Sequence, residues 1–268
     1  MSDFLQTMAE RSAARVAAIR QPITSSALDR PLLPLQLGRF DVIAEIKDHS
    51  PAEGALATAG SDRVAQAQRY ARGGAAAISV LSEPSRFAGD IAHVEQVATA
   101  MTDTPVMRKD FLVDPLQVLE ARAAGASGVL LIAAMLDDKM LRAMLDCSYE
   151  HGMFVLLESF DEDDLQRSRA LLENSADADA AAAGTLLFGV NTRNLRTLEV
   201  DAGRLQKLAA LLPEGRCVAE SGLHNEKDAQ RVARLGYRAA LVGTALMRSD
   251  DPEALVAAMV LAGGEAAV

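Results

Sequence analysis

The apolar residues of this chain fall into eight short runs, each followed by a segment with helical periodicity. The runs are nearly continuous blocks of Val, Ile, Leu and Ala, a pattern typical of strands buried on both faces of a parallel sheet. They are Val42–Ile46, Ala75–Leu81, Pro105–Met107, Gly128–Ala133, Phe154–Leu157, Leu186–Val190, Arg216–Ala219 and Ala239–Val242. Eight strand–helix units predict an α/β fold, either a closed barrel or a doubly wound open sheet. The count of eight and the length of 268 residues favour the (β/α)8 TIM barrel.

The segments between these runs carry start and stop signals for helices. Asp114 precedes Pro115 and Asn225 precedes Glu226, the order expected at a helix N-terminus. Glycine follows several of the segments, as at a helix C-terminus. The predicted helices are Asp62–Arg72, Pro115–Ala124, Asp137–His151, Asp161–Leu172 and Glu226–Leu235, and the glycine stops are Gly73-Gly74, Gly125, Gly152 and Gly236.

Two segments lie outside the repeat. Residues 3–20 predict a helix that precedes the first strand and serves as a lid or plug on the barrel. Asn174–Gly184 is rich in alanine and aspartate and predicts a helix extension or a mobile loop, to which we assign no function. We expect one domain over residues 1–268, with an N-terminal extension at 1–40 and the barrel at 41–268.

Composition excludes several classes of protein. A net charge of −10 argues against a nucleic-acid surface, which needs clustered basic residues. No apolar stretch is long enough for a membrane span, and the start of the chain lacks the features of a secretory signal. Cys147 and Cys217 are too few and too far apart for a disulfide framework or a structural zinc site, so we expect a protein of the reducing cytoplasm.

Polar residues stand where the apolar runs stop. In a barrel these positions converge on the C-terminal rim, where active sites of this architecture lie. Loops after strands seven and eight often hold phosphate there, and Gly222 and Gly243 let a backbone approach an anion closely. The sequence therefore predicts an enzyme that acts on a phosphorylated small molecule. The residues are Glu45, Lys47, Lys109, Glu158, Asn191, Arg193, Glu220, Ser221, Gly222, Gly243 and Thr244.

Each of these residues also has a purely structural interpretation. Glu45 could ion-pair with Lys47, because residues i and i+2 share one face of a strand. Lys109 could be a solvated loop charge, and Glu158 could belong to a structural salt bridge. Asn191 and Arg193 could cap the following turn, and the glycines could serve only tight turns.

Several motifs, in this order, resemble the indole-3-glycerol phosphate synthase family. The resemblance extends from residue 42 to about residue 252. The motifs are Val42-Ile43-Ala44-Glu45-Ile46-Lys47 with Ser50-Pro51, Val80-Leu81-Ser82-Glu83-Pro84 with Phe87, Arg108-Lys109-Asp110-Phe111, Glu120-Ala121-Arg122-Ala123-Ala124-Gly125-Ala126, Gly189-Val190-Asn191-Thr192-Arg193-Asn194-Leu195, Ala219-Glu220-Ser221-Gly222, and Leu241-Val242-Gly243-Thr244-Ala245-Leu246-Met247.

The resemblance implies a carboxy-lyase of tryptophan biosynthesis that needs no cofactor. It closes the pyrrole ring of 1-(2-carboxyphenylamino)-1-deoxyribulose 5-phosphate with loss of carbon dioxide and water. It would make Lys109 the general acid and Glu158 its partner acid or base, with Lys47 polarising the carbonyl. The other implied roles are orientation of the reacting groups by Glu45, Asn191 and Glu220, carboxylate contact by Arg193, phosphate binding by Ser221, Gly222, Gly243 and Thr244, and an aromatic pocket lined by Ser50, Pro51, Phe87, Phe111 and Leu130 or Leu131.

The chain departs from the family pattern in four places. Asp48-His49-Ser50-Pro51-Ala52 replaces a more basic stretch, and Asp48 puts a negative charge beside the expected anion site. The segment before the first strand is short, Asn174–Gly184 looks inserted, and Ser159-Phe160 follows Glu158. A related enzyme with another aromatic sugar phosphate, a Schiff-base lyase or aldolase, and an inactive binding protein therefore stay open as alternatives. The expected partner is a small molecule, and the expected state is a monomer or weak homo-oligomer.

Overall fold

The computed structural model is a closed barrel of eight parallel strands. It describes residues 4–19, 23–50, 54–56, 62–193, 200–201 and 203–267. The barrel strands are β1 Asp41–Ile46, β2 Ala77–Leu81, β3 Val106–Lys109, β4 Gly128–Ile132, β5 Phe154–Ser159, β6 Leu186–Asn191, β7 Arg216–Glu220 and β8 Ala239–Val242. The barrel predicted from the sequence is confirmed, and the alternative of an open sheet is wrong because β1 pairs with both β2 and β8.

Strand residues alternate between the barrel interior and the surrounding helices. Leu130 and Leu156 are paired on neighbouring strands and both lie in the inner apolar cluster. Val129 and Leu131 belong to the outer cluster between strands and helices. This alternation explains why four strands extend past the predicted apolar runs, since Lys109, Glu158, Asn191 and Glu220 continue each strand with a polar inward side chain.

Helices cover the outside of the barrel between successive strands. Their caps are those that the sequence predicts: the Asp114 side chain accepts from Leu116 N, and the Asn225 side chain accepts from Lys227 N and Asp228 N. The α-helices span Phe4–Ala18, Ser25–Leu28, Arg63–Arg72, Pro84–Phe87, Ile91–Ala100, Pro115–Ala123, Asp138–Glu150, Glu162–Ala170, Ser175–Ala182, Arg204–Leu208, Glu226–Arg234, Thr244–Met247 and Pro252–Ala266, with 3₁₀ turns at Ala133–Met135, Leu171–Glu173 and Ala209–Leu211.

The N-terminal helix Phe4–Ala18 lies over the C-terminal end of the barrel. Leu5 and Met8 are buried in the inner cluster, and the Phe4 ring meets the Phe111 ring edge-on at 5.9 Å. Arg15 Nη2 lies 2.6 Å from Asp110 Oδ1, directly after β3. The helix therefore covers the rim that carries the polar strand ends, which is the position expected of a lid.

The alanine- and aspartate-rich tract folds as the short helix Ser175–Ala182, with Asn174 as its N-cap. Asp177 is fully buried and accepts hydrogen bonds from Arg142 Nη1 at 2.6 Å and Tyr149 Oη at 2.9 Å. The expected helix is confirmed and the alternative of a mobile loop is wrong, because one aspartate attaches the tract to the helix Asp138–Glu150.

Replacement of Asp177 by alanine should lower the free energy of unfolding by about 2–3 kcal/mol. The reason is that the half-buried Arg142 guanidinium and Tyr149 hydroxyl lose the acceptor that they share, although Arg142 keeps its ion pair with Asp146. Urea denaturation followed by circular dichroism measures the change. The exposed Asp179, on the same helix, provides the control D179A, which should behave as the unmodified protein. An equal loss in both variants would contradict the assigned role of Asp177.

Candidate active site

The polar strand ends surround a cavity of about 310 Å³ at the C-terminal mouth of the barrel. Five strands contribute polar residues to the cavity: β1, β3, β5, β6 and β7. In each of them the polar residue near the end of the strand has its side chain on the inner face of the barrel. The lining residues are Phe4, Glu45, Lys47, Leu81, Phe87, Lys109, Asp110, Phe111, Leu130, Ile132, Glu158, Asn191, Arg193, Val200, Glu220, Ser221, Gly222, Leu223, His224, Leu241, Thr244 and Ala245.

Lys109 lies between two buried carboxylates. Its Nζ atom is 3.3 Å from Glu158 Oε2 and 3.5 Å from Glu220 Oε2. Both glutamate side chains are 1% exposed and the lysine side chain is 16% exposed, so it is not the solvated loop charge that the sequence allowed. Burial lowers the pKa of Lys109, but Glu158, Glu220 and Glu45 outweigh it and raise that pKa above its ordinary value. Lys109 is therefore a cation that reaches the cavity.

Glu220 differs from the other carboxylates in its electrostatics. Burial and the neighbouring Glu158 raise the pKa of Glu220 well above its ordinary value, although Lys109 opposes the shift. Its Oε1 atom is buried and has no hydrogen-bond partner among the described residues. Two carboxylates at close range favour one shared proton. The site therefore combines a cationic lysine with a glutamate that tends to be neutral.

Glu45 and Lys47 form an ion pair inside the cavity. Their Oε1 and Nζ atoms are 2.8 Å apart, and their side chains are 4% and 14% exposed. Burial raises the pKa of Glu45, but Lys47, Lys109 and Arg193 outweigh it and lower that pKa below its ordinary value. The Glu45–Lys47 ion pair, which was the structural interpretation of these residues, is present. It lies in the cavity, so the two interpretations of these residues do not exclude each other.

Asn191 connects the end of β6 to Glu158. Its Nδ2 atom donates to Glu158 Oε1 at 3.1 Å, and its Oδ1 atom accepts from Arg193 N at 2.9 Å. Arg193 forms an isolated antiparallel bridge with Val200 across the mouth. Asn191 thus caps the turn, as its structural interpretation held, and also orients the carboxylate beside Lys109.

The apolar wall of the cavity corrects one prediction. Phe87 and Phe111 line it together, with ring centroids 6.1 Å apart. Leu131 does not line it, because the outward phase of β4 places this side chain between strands and helices, whereas Leu130 and Ile132 face inward. The strand register explains the difference, because Leu130 pairs with Leu156, which shares a strand face with Glu158.

Small residues after β7 and β8 form another part of the cavity wall. Ser221 and Gly222 have φ of 66° and 70°, so a left-handed turn directs their backbone at the cavity, and Thr244 also lines it. Gly243 is not among the lining residues. A methyl group on its Cα would instead overlap Glu45 Oε1 and lie 3.0 Å from Lys47 Nζ. Gly243 therefore faces the ion pair rather than the cavity.

Sequence reasoning missed several lining residues, and one residue that it proposed for the site lies outside the described part of the chain. Phe4 comes from the N-terminal helix, and Val200 and His224 come from loops, so no strand pattern indicated them. Pro51 lies outside the described residues, and only the backbone of Ser50 is described, in a two-residue strand that pairs with Gly54–Ala55.

Asp48, the acidic residue that departs from the family pattern, has an oppositely charged partner. Its carboxylate forms an ion pair with Arg63, at the start of the helix Arg63–Arg72. The neighbouring His49 Nδ1 lies 2.9 Å from the carbonyl oxygen of Arg86. The negative charge that would oppose an anionic ligand is therefore compensated within the loop after β1.

The described part of the chain has no group of three or more His, Cys, Asp or Glu arranged to hold a metal ion. Within the same ranges, none of the helices has the length and apolar character needed to cross a membrane.

Comparison with known proteins gives the family. The model of the indole-3-glycerol phosphate synthase family matches residues 6–259. The chain belongs to this family. Its curated relatives include indole-3-glycerol phosphate synthase of Nocardioides sp., which is 44% identical over 94% of this chain and 93% of its own length. Indole-3-glycerol phosphate synthase 1 of Streptomyces coelicolor is 42% identical over 83% of this chain and 78% of its own.

Solved structures support the fold of this family member. 3-Hexulose-6-phosphate synthase of Salmonella typhimurium has a TM-score of 0.61 at 14% identity, over 85% of this chain and 100% of that one. Phosphoribosylanthranilate isomerase of Thermotoga maritima has a TM-score of 0.56 at 11% identity, over 84% and 99%. At such identities the likeness shows the barrel alone.

The raised pKa of Glu220 predicts a pH-dependent effect of E220Q on stability. The folded protein holds this proton more tightly than the unfolded chain, whose carboxyl has the ordinary value of 4.5, so ionisation of Glu220 costs stability as pH rises above that value. The difference in unfolding free energy, E220Q minus unmodified protein, should therefore increase from pH 4.5 towards neutrality. Urea denaturation at several pH values measures it.

The control for this titration is E265Q, at an exposed glutamate near the end of the last helix. Its difference from the unmodified protein should stay flat over the same pH range. A flat difference for E220Q as well would show that Glu220 ionises normally in the folded protein.

Proposed function

We propose that the protein is an indole-3-glycerol phosphate synthase. It would convert 1-(2-carboxyphenylamino)-1-deoxyribulose 5-phosphate to indole-3-glycerol phosphate, carbon dioxide and water. The observation that carries the proposal is Lys109 held between Glu158 and Glu220 at the mouth of the barrel, in a chain of this family. The names of the curated relatives support the same activity.

The first step joins the aromatic carbon that bears the carboxylate to the ketone carbon of the sugar chain. In the proposed mechanism Lys109 donates a proton to the ketone oxygen as the new carbon–carbon bond forms, since its raised pKa keeps it cationic. Loss of carbon dioxide then returns the bonding electrons to the ring and restores aromaticity. Here the protein mainly needs to hold the two reacting carbons together.

The last step removes water from the five-membered ring. Lys109 regains a proton from the neighbouring Glu220 carboxyl and donates it to the departing hydroxyl group, which leaves as water. Glu158 takes the ring proton whose bonding electrons form the new double bond. Asn191 orients Glu158 through the 3.1 Å hydrogen bond. Glu220 and Glu45 orient the reacting hydroxyl and amine groups, and the two buried glutamates beside Lys109 allow the proton to pass between neighbouring oxygens.

Binding of the anionic substrate relies on local features of an acidic protein. Lys47 and Arg193 would neutralise the anthranilate carboxylate, and Lys47 would also polarise the carbonyl. The left-handed turn at Ser221-Gly222, the backbone after Gly243 and the Thr244 hydroxyl would hold the phosphate through hydrogen-bond donors. Phe87, Phe111 and Leu130 would enclose the aromatic ring.

Direct turnover of the carboxyphenylamino deoxyribulose phosphate tests the proposal. The purified protein should produce indole fluorescence, against a low background because the chain contains no tryptophan. K109M and E158Q should each lower kcat by about a hundredfold to ten-thousandfold, the usual contribution of general acid–base catalysis. K139A, at an exposed lysine in the helix Asp138–Glu150, is the control and should keep full activity.

Two outcomes would contradict the proposal. Absence of product with the unmodified protein would favour a related sugar-phosphate enzyme or an inactive binding protein. Full activity of K109M would show that Lys109 takes no part in the reaction. The single domain over residues 1–268, the cytoplasmic location and the monomeric or weakly oligomeric state stay predictions.

Borohydride trapping tests the Schiff-base lyase or aldolase. That mechanism needs a lysine free of its proton to attack a carbonyl group, whereas the carboxylates around Lys109 keep it protonated. Treatment with a keto-phosphate and borohydride should therefore leave the intact mass of the protein unchanged. A mass increase that K109M or K47M abolishes would establish imine formation and overturn the acid–base mechanism.

A further inference from the structure

Two inward-facing glycines lie beside buried carboxylates of the site. Gly189 is on β6, and a methyl group on its Cα would overlap Glu220 Oε1 and lie 3.3 Å from Glu220 Cδ. Gly243 follows β8, and the same methyl group there would overlap Glu45 Oε1. On both strands the carboxylate of the neighbouring strand therefore occupies the space that a Cβ atom would fill.

Backbone conformation does not require glycine at either position. Gly243 has φ −119°, and Gly189 is not among the positive-φ glycines. Gly222, by contrast, has φ 70° and is the kind of position that favours glycine for its conformation. What Gly189 and Gly243 provide is the absence of a side chain.

We propose that Gly189 and Gly243 are positioning residues that seat the carboxylates of Glu220 and Glu45 in the barrel interior. The inference rests on the proposed function of the site. The seat at Gly189 fixes the Glu220 carboxylate at the cavity wall, where Oε2 is 3.5 Å from Lys109 Nζ. The seat at Gly243 holds Glu45 where its Oε1 is 2.8 Å from Lys47 Nζ.

A methyl group at position 189 would displace Glu220 more readily than the barrel. The obstructed atom is the end of a flexible side chain, and the next contact, Leu156 Cδ1, is 3.3 Å away. The carboxylate would move away from Gly189, which changes its position relative to Lys109. Misplacement of a catalytic group by about 1 Å can cost a hundredfold in rate. The substitution should therefore affect turnover more than folding.

Gly128 provides a matched control on the inner face of β4. A methyl group there would overlap three atoms of the Phe154 ring, which is 3% exposed in the inner cluster. Neither residue is among those that line the cavity. G128A should therefore lower stability through core packing and leave the position of the site carboxylates unchanged.

The experiment compares G189A and G128A in kcat, KM and free energy of unfolding. G189A should lower kcat roughly tenfold to a hundredfold with little change in KM and a smaller loss of stability than G128A. G128A should keep kcat within about twofold at a temperature where it is folded. Adding E220D to G189A shortens the acid by one methylene and makes room for the methyl group, so the double variant should regain part of the turnover relative to G189A.

A double-mutant cycle, measured by free energies of unfolding, tests the inference without a measurement of turnover. G189A should destabilise the protein, and it should cost less stability in the E220A background, where the obstructed carboxylate is gone. If the unmodified protein lacks synthase activity, the proposed function fails while this cycle still decides whether Gly189 seats Glu220. The same G189A cost in both backgrounds, or unchanged kcat in an active enzyme, would overturn the inference.

Discussion

The site depends on the cost of burying charge at the mouth of a barrel. An isolated carboxylate or ammonium group there would lose its hydration, so each buried charge needs a partner of opposite sign. Glu45 with Lys47, and Lys109 with Glu158 and Glu220, meet this requirement across strands that are distant in sequence. The closed barrel provides the geometry, since it brings those strand ends to one rim. The ion pairs that allow these charges to be buried are therefore the same ion pairs that form the candidate site.

Charge pairing also explains how an acidic protein could accept an anionic substrate. Glu45, Glu158 and Glu220 face Lys47, Lys109 and Arg193, and the three acids balance the three bases when all are ionised. Burial and Glu158 raise the pKa of Glu220, which disfavours its ionised form and shifts this local balance towards the bases. The net charge of −10 describes the whole chain, whereas binding depends on this local balance. Asp48 leaves the balance unchanged because Arg63 pairs with it.

The sequence was sufficient for the fold because its local signals agree with one another. Buried runs, the N-caps Asp114 and Asn225 and the glycine stops all indicate strand–helix repeats, and eight of them close a barrel. Strand ends were less predictable, since Glu158 and Asn191 follow an apolar run but still belong to the strand. The helix of the Asn174–Gly184 tract depends on Asp177 meeting Arg142 and Tyr149, which is a tertiary contact that no local pattern contains.

The site was predicted where the ends of strands contribute to it. Lys109, Glu158 and Glu220 follow from their places at the ends of apolar runs, which meet at one rim of the barrel. The choice of Leu130 over Leu131 needed the strand register as well. Phe4 could not be predicted in this way, because the path of the N-terminal helix across the mouth is set by contacts such as Arg15 with Asp110. Lining residues that belong to strands can thus be predicted from the sequence pattern, whereas those from loops and the N-terminal extension cannot.

Glycine illustrates why residue type alone does not assign a role. Gly222 and Gly243 occupy equivalent places after successive strands, and the sequence treated both as phosphate-binding positions. Their conformations separate them: Gly222 has a left-handed φ at the cavity wall, whereas Gly243 has an ordinary φ and gives its space to Glu45. Gly189, inside β6, shares the property of Gly243 and not that of Gly222. A glycine needed for its backbone conformation and a glycine that makes room for a neighbour are the same letter in the sequence, and only φ and the surrounding atoms distinguish them.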